Sequence, residues 1–262
     1  MTNAALHVAR TGLDAQNMKM QVIANNLANV NTTGFKRDRA NFETLAYQAV
    51  TNPGAPSSDQ TKFATGLNLG TGVSIMGTAR MDTQGSLQTT GNSLDIAIQG
   101  AGFFQVQKPD GSTAYTRDGN FSLTAEGTIV TSEGLSLQPQ IQVPDGAQSI
   151  TIGADGTVSA LLQGQSAPTT LGKIQTVRFM NPAGLQAAGS NLLAETAASG
   201  APQLGDAGTD GRGTIKQGTL ESSNVDITEE LVDMIETQRA YEVNSKVIKA
   251  TDEMLQYANQ QL

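Results

Sequence analysis

Hydrophobic positions along the chain change their spacing twice. Over residues 6–30, Leu6, Ala9, Leu13, Met20, Ile23, Leu27 and Val30 recur at three- and four-residue intervals, with Gln16 out of place. Residues 225–262 carry two neighbouring stripes with the same rhythm. Ala240, Val243, Val247, Ala250, Met254 and Tyr257 form one; Ile227, Leu231, Met234, Tyr241, Ile248 and Leu255 form the other. This period belongs to helices laid along other helices. Asp226-Ile227-Thr228-Glu229 reads as a capping box, and Glu229, Glu230 and Asp233 put negative charge where the helix dipole favours it. No Gly or Pro follows, so the C-terminal helix is predicted to reach Leu262, about 55 Å at 1.5 Å per residue. A stripe that wide needs more than one partner, so both chain ends are expected to order only on assembly.

Between the helices the period drops to short alternating or apolar runs at 73–81, 94–98, 103–107, 121–123, 128–131, 135–137, 141–143, 150–152, 157–161 and 173–179. Six acid–glycine pairs lie among them: Asp110-Gly111, Asp118-Gly119, Glu126-Gly127, Glu133-Gly134, Asp145-Gly146 and Asp155-Gly156. Such pairs supply the positive-φ positions of tight hairpins, which predicts an all-β domain of sandwich or barrel type. Residues 184–212 are rich in Gly, Ala and Ser and read as a return loop with some short strand, and 215–220 as a last strand. Residues 48–72, with Pro53-Gly54, Pro56, Gly66, Gly70 and Gly72, read as an irregular arm packing on neighbouring subunits. The predicted class is α+β. Long terminal helices (1–45 and 222–262) pack as a coiled coil, followed in order by an extended arm and linker (46–80) and a nested β-rich outer domain (81–221).

Composition narrows the chemistry. The chain has 28 Gly, 7 Phe, 4 Tyr and no Trp, which makes a lean core, and no Cys, which excludes disulfides. A net charge of −8, with no basic cluster, argues against nucleic acid. No run approaches about 18 apolar residues, so no membrane insertion is expected, and the polar first twenty residues do not fit a secretory signal peptide. The single histidine, His7, excludes an H-E-x-x-H zinc site and argues against a Ser-His-Asp relay. Acid pairs leave carboxylate chemistry open, but no spacing singles one out. Gly66, Gly70 and Gly72 lack the Lys-Ser/Thr of a phosphate-binding loop, and the glycine–aspartate repeat of calcium-binding β-helices is missing. No cofactor is expected.

Residues 25–31 hold four asparagines, of which Asn25, Asn26 and Asn29 share a helix face and are expected to bond to a neighbouring helix. Gly34 is a turn residue and Phe35 a hydrophobic anchor just past it. Asn26-Leu27-Ala28-Asn29 with Thr33-Gly34-Phe35-Lys36 resembles the N-terminal signature of the axial proteins of the bacterial flagellar rod and hook. Gly100-Ala101-Gly102-Phe103-Phe104-Gln105-Val106 and Tyr115-Thr116-Arg117-Asp118-Gly119-Asn120-Phe121 are similar to that family's β-domain. Glu221-Ser222-Ser223-Asn224-Val225-Asp226, then Gln238-Arg239-Ala240-Tyr241-Glu242 with Asn244-Ser245-Lys246, resemble its C-terminal signature. Within the family, 47–72 looks like the stretch of the distal rod members; a proximal rod or hook protein is the alternative.

The resemblance implies a structural, non-enzymatic subunit of the flagellar basal body that polymerises with itself into a helical drive shaft transmitting torque. Its implied partners are proximal rod proteins, the hook protein, the peptidoglycan and outer-membrane ring proteins that act as bushings, and the flagellar type III export apparatus. Export would proceed unfolded, from the cytoplasm, without a cleaved signal peptide. The expected assembly residues are Ile23, Asn25, Asn26, Leu27, Asn29, Thr33, Gly34 and Phe35, then Pro53 and Gly54, and finally Leu231, Met234, Gln238, Arg239, Tyr241, Asn244 and Ile248. A different class, a carbohydrate-binding β-domain on a helical stalk, would be marked by saturable glycan binding.

Overall fold

The computed structural model describes residues 2–54, 64–165 and 167–260. The chain divides into two units, one of residues 1–27, 38–79 and 226–262, the other of 28–37 and 80–225. The first holds helix α1 (Thr2–Ala28), four strands and helix α2 (Ile227–Gln260). Asp226 caps α2 as the sequence predicts, its Oδ1 accepting from the backbone N–H of Thr228 at 2.8 Å and Glu229 at 3.3 Å. Strand β1 (Asp38–Thr44) pairs with β4 (Val73–Arg80), and β2 (Tyr47–Thr51) pairs antiparallel with β3 (Leu67–Gly70).

The arm is therefore not irregular at its base. Tyr47 faces Gly70 and Thr51 faces Leu67 across a two-stranded ladder. The nearby Pro and Gly hid two runs whose Tyr, Val, Thr and Leu suit a pleated pairing. Pro56 and the rest of 55–63 lie outside the described residues, as does the predicted helix end at Leu262.

The second unit is β-rich. Its strands are β5 (Leu87–Thr89), β6 (Ile96–Gln99), β7 (Phe103–Gln107), β8 (Thr113–Thr116), β9 (Phe121–Leu123), β10 (Ile129–Thr131) and β11 (Ser136–Gln138). Then come β12 (Ala147–Ile152), β13 (Thr157–Leu162), β14 (Thr169–Lys173), β15 (Gln175–Arg178), β16 (Gln186–Gly189) and β17 (Leu192–Ala194). The last are β18 (Gln203–Asp206), β19 (Thr214–Gln217) and β20 (Thr219–Glu221).

Strand β7 organises the largest sheet. It pairs with β8 along one edge, while its other edge is divided between β15, opposite Phe103 and Phe104, and β11, opposite residues 105–107. The neighbours Phe103 and Phe104 point to opposite faces. Phe104 enters the main core with Ile96, Phe121, Leu137, Val158 and Ile215, whereas Phe103 joins Tyr115, Val177 and Phe179 in a second cluster. Both clusters hold edge-to-face aromatic pairs, Phe104 with Phe121 at 5.3 Å and Tyr115 with Phe179 at 4.8 Å between ring centroids.

Several predicted strands shift. Residues 141–143 make only an isolated bridge, Thr128 to Gln142, although Ile141 and Val143 are buried. Five of the six acid–glycine pairs carry a positive-φ Gly; Gly119 is the exception and instead lies directly against the Ile96 carbonyl, where no side chain fits. The return segment, expected to carry some short strand, contains β16, β17 and β18.

Candidate assembly surface and junction cluster

Helix α2 keeps a seam of buried and half-buried positions at Glu230, Met234, Thr237, Tyr241, Asn244, Ile248, Thr251 and Leu255. Their spacing alternates between four and three, a seven-residue repeat, and every second member is polar. The apolar members belong to a stripe read from the sequence; of the polar ones only Asn244 was expected, through its motif, because hydropathy gives Glu230, Thr237 and Thr251 no signal. Polarity here is satisfied locally: Thr237 Oγ1 donates to the Asp233 carbonyl at 2.6 Å and Thr251 Oγ1 to that of Val247 at 2.7 Å.

Three contacts set α1 along α2. Asn26 Nδ2 donates to Glu230 Oε1 at 3.2 Å, Lys19 Nζ meets Asp233 Oδ1 at 3.4 Å, and a methyl group at Gly12 would stand 3.0 Å from Asn244 Nδ2. Positions fall along α1 as they rise along α2, so the helices run antiparallel. Asn26 also accepts from the Asp38 N–H and donates to its carbonyl, both at 2.9 Å, which fixes the start of β1 against the helix. Of the asparagines expected to reach another helix, Asn26 does so, whereas Asn29 receives the Thr32 hydroxyl at 3.1 Å in the turn after α1.

The outward side of α2 mixes large apolar residues with exposed charges such as Glu236, Glu242, Lys246 and Glu253. Leu231, Val232, Ile235, Val243, Val247, Met254 and Tyr257 are 43–67% exposed. Gln238 and Arg239 are exposed beside them, while Met234, Tyr241, Asn244 and Ile248 are half-buried in the seam. On α1, Ile23 is buried, Leu27 half-buried and Asn25 exposed. Pro53 and Gly54 are exposed at the end of β2.

In the β unit three chain segments meet at Glu221, which is 1% exposed. Lys36 Nζ lies 2.5 Å from its Oε1 and Arg117 Nε 2.6 Å from its Oε2, and the Gly85 N–H donates to Oε1 at 2.9 Å. Lys36 also donates to the Thr83 carbonyl at 2.8 Å, and Arg117 reaches the carbonyls of Ile98, Gly100 and Gly102. Burial alone would raise the Glu221 pKa, but Arg117 and Lys36 outweigh it and hold the carboxyl below its ordinary range. For Lys36 burial is the larger influence. It draws the ammonium below its usual range, Glu221 offsetting it only in part and the nearby Arg117 adding to it.

Backbone and turn geometry close around this centre. The Gly34 N–H donates to the Glu221 carbonyl at 2.8 Å, and its φ of +68° suits glycine. A Cβ there would lie 2.8 Å from the Arg117 carbonyl carbon. Asn191 Nδ2 donates to the Thr33 carbonyl at 3.3 Å, and Phe35 is half-buried. Lys36, Arg117 and Glu221 were not singled out as site residues, though each lies in one of the three quoted motifs. Nothing local in the sequence marked them; in the structure Thr219 and Glu221 of strand β20 face inward while Leu220 is only half-buried.

Those three motifs fall in three separately recognisable segments. Residues 6–36 match the family described as flagella basal body rod protein, residues 97–160 the flagellar hook protein FlgE/F/G D1 domain, and residues 216–261 the flagellar basal body rod FlgEFG protein C-terminal family. The flagellar basal-body rod protein FlgG of Buchnera aphidicola subsp. Acyrthosiphon pisum (strain APS) is 50% identical over 256 residues, 98% of each chain. The chain belongs to the FlgG family of flagellar rod proteins. FlgG of Borreliella burgdorferi (strain ATCC 35210 / DSM 4680 / CIP 102532 / B31) is 47% identical over 257 residues, 97% of each chain. The flagellar hook-basal body complex protein FlhP of Bacillus subtilis (strain 168) is more distant, 32% identical over 264 residues and 96% of each chain. A member of the FlgG family is a structural subunit of the bacterial flagellar distal rod. Among the described residues no group of three or more His, Asp or Glu is placed to hold a metal, and no helix is long and apolar enough to cross a membrane.

Proposed function

We propose that this FlgG-family protein polymerises through its two terminal helices, laid together as a coiled coil, into the rigid shaft that carries torque to the hook. The observation that carries this reading is the exposed side of α2, where eight large apolar side chains, Ile227 among them, are 43–67% exposed along one helix. A monomer gains nothing from that arrangement, since each such side chain is worth about 1.5–3 kcal/mol when buried. Covering it with helices of neighbouring copies removes the cost. The assembly residues are those expected from the sequence, with the seam residues of α2 and Val243, Val247 and Met254 added.

In this reading the β unit, as the outer domain, faces the ring proteins, and the proximal rod and hook proteins bind the shaft's two ends. The chain reaches the basal body unfolded through the flagellar type III export apparatus. Its role is structural, with no catalytic step. The β2–β3 hairpin wedges between adjacent copies and blocks the axial sliding that bending requires, because packed interfaces resist continuous deformation. Excising 48–69 is expected to leave a polymer that still forms but curves.

Purified protein carrying Val243→Asp and Val247→Asp tests the main claim. It should give no sedimentable helical polymer while its β unit melts at the same temperature as the parent. Polymers of normal yield and shape in electron micrographs would defeat the proposal.

A further inference from the structure

We propose that the β unit is closed last, by a step that needs the chain through about Asn224, and that the Lys36–Glu221–Arg117 cluster is the bolt of that closure. The unit's late strands fill places that early strands leave open. Strands β5 and β6 pair with β20 and β19 in two-stranded sheets. Ile215 of β19 is 3% exposed within the main core. Gln217 ties two early segments together, donating from Nε2 to the carbonyls of Ser93 and, on β12, Ile150 at 2.8 Å and accepting at Oε1 from the Ile152 N–H at 3.1 Å. The N–H of Gly218 reaches the Asp95 carbonyl at 2.8 Å, and that of Ser222 the Ser86 carbonyl at 2.8 Å.

Charge makes the step all-or-none. Lys36 and Arg117 are 7% and 8% exposed, and Glu221 is the acid that touches both. Before Glu221 arrives, closing the unit would bury two cations with no anion between them, which is strongly unfavourable. Lys36 comes from 185 positions earlier in the chain, so the bolt joins the beginning and end of the unit around everything between. A chain emerging from its N-terminus thus keeps this unit open until only α2 remains to follow. The inference stands apart from the rod reading, since it concerns the folding of one unit and not what the folded chain assembles into.

Chains arrested on the ribosome during synthesis provide the test, one with the sequence emerged to residue 218 and the other to residue 226, the residues that follow lying in the tunnel. Protease resistance of the segment holding β7 and β11 should be absent in the first and present in the second. Resistance already present at 218 overturns the proposal; so does resistance that appears only after α2 is released, because closure would then depend on the helix. In the complete purified protein, Glu221→Gln should lower amide-exchange protection in β7 and β19 together by at least about a hundredfold. Replacing the whole cluster with Lys36→Met, Arg117→Met and Glu221→Gln should recover most of it. A single Glu221→Gln change within threefold of the parent would equally overturn the bolt.

Discussion

In the β unit most of the largest fully buried side chains are those hydropathy would choose, Phe104, Phe121, Tyr115, Ile96 and Leu137 among them. In α2 the buried side chains are Glu230, Thr237 and Thr251, while Leu231, Val232, Ile235, Val243 and Val247 lie in the open. The first is a finished solution to the hydrophobic problem; the second is half of one. A helix that hides its threonines and shows its valines is built for surfaces that other chains supply. The buried Glu221 cluster shows the β unit's own compromise, an ionic centre whose value lies in joining distant segments more than in net stability.

The sharpest way to break the contrast is a pair of core and surface changes. Phe104→Ala should cost the β unit about 3–5 kcal/mol, read as a shift in its thermal unfolding. Val243→Asp should change that unfolding by less than about 0.5 kcal/mol and yet prevent assembly. Equal effects on melting would mean that α2 is part of the β unit's fold.

Within the cluster, the three charges should not be equivalent. Glu221→Gln leaves two cations facing each other and is expected to cost about 3–5 kcal/mol. Lys36→Met leaves a neutral Glu221–Arg117 pair and should cost only about 1–2 kcal/mol, chiefly lost hydrogen bonds. Chemical denaturation of both variants checks the order, and a reversal would show that packing, not charge, governs the site. Gly34→Ala forces a side chain onto the Arg117 backbone at positive φ and should cost about 1–3 kcal/mol. If Gly34→Ala melts like the parent, the turn is less constrained than its geometry implies.

The smallest expected effect is in pH. The Glu221 carboxyl is held below its unfolded value of 4.5, so below that value the unfolded chain binds the extra proton. The stabilisation it supplies is complete above pH 4.5 and is lost as pH falls through the folded value. Asp118 acts in the opposite sense, because burial raises its pKa. The comparison must therefore be the parent against Glu221→Gln, and the difference between their stabilities should narrow as pH falls below about 4.5. A difference that stays constant to pH 3 would contradict this assignment.

How much of this was legible beforehand follows from what hydropathy encodes. The 3-4 spacing announced both helices, and Asp226 announced where α2 begins. Strand β7 was visible because Phe103, Phe104 and Val106 put apolar side chains on both of its faces within one short run. Strand β8, Thr113–Thr116, was read only as a motif, although its Ala114 and Tyr115 are buried. Strands β16 to β18 were expected only as some short strand, since small residues blur where each begins, and β2 and β3 were hidden by the prolines and glycines around them. The site was least legible where polarity is used inside. Asn26 was expected to bond a neighbouring helix and does, but Glu221, Lys36 and Arg117 looked like ordinary surface charges, since nothing local says that a lone acid will be met by two bases far along the chain.

The polar members of the α2 seam have one more consequence. A ladder of like leucines matches itself at every seven-residue shift, about 10.5 Å of helix, and two such helices can slip. Here the rungs differ: Glu230, Thr237, Asn244 and Thr251 on α2, with Asn26, Lys19 and Gly12 on α1. One shift would carry Asn26 from Glu230 to Thr237, whose hydroxyl already donates to the Asp233 carbonyl. It would also take the Asn26 amide away from a carboxylate that is 2% exposed. The helix pair thus carries its own zero mark, and a shaft made of many copies would inherit that alignment from every one of them.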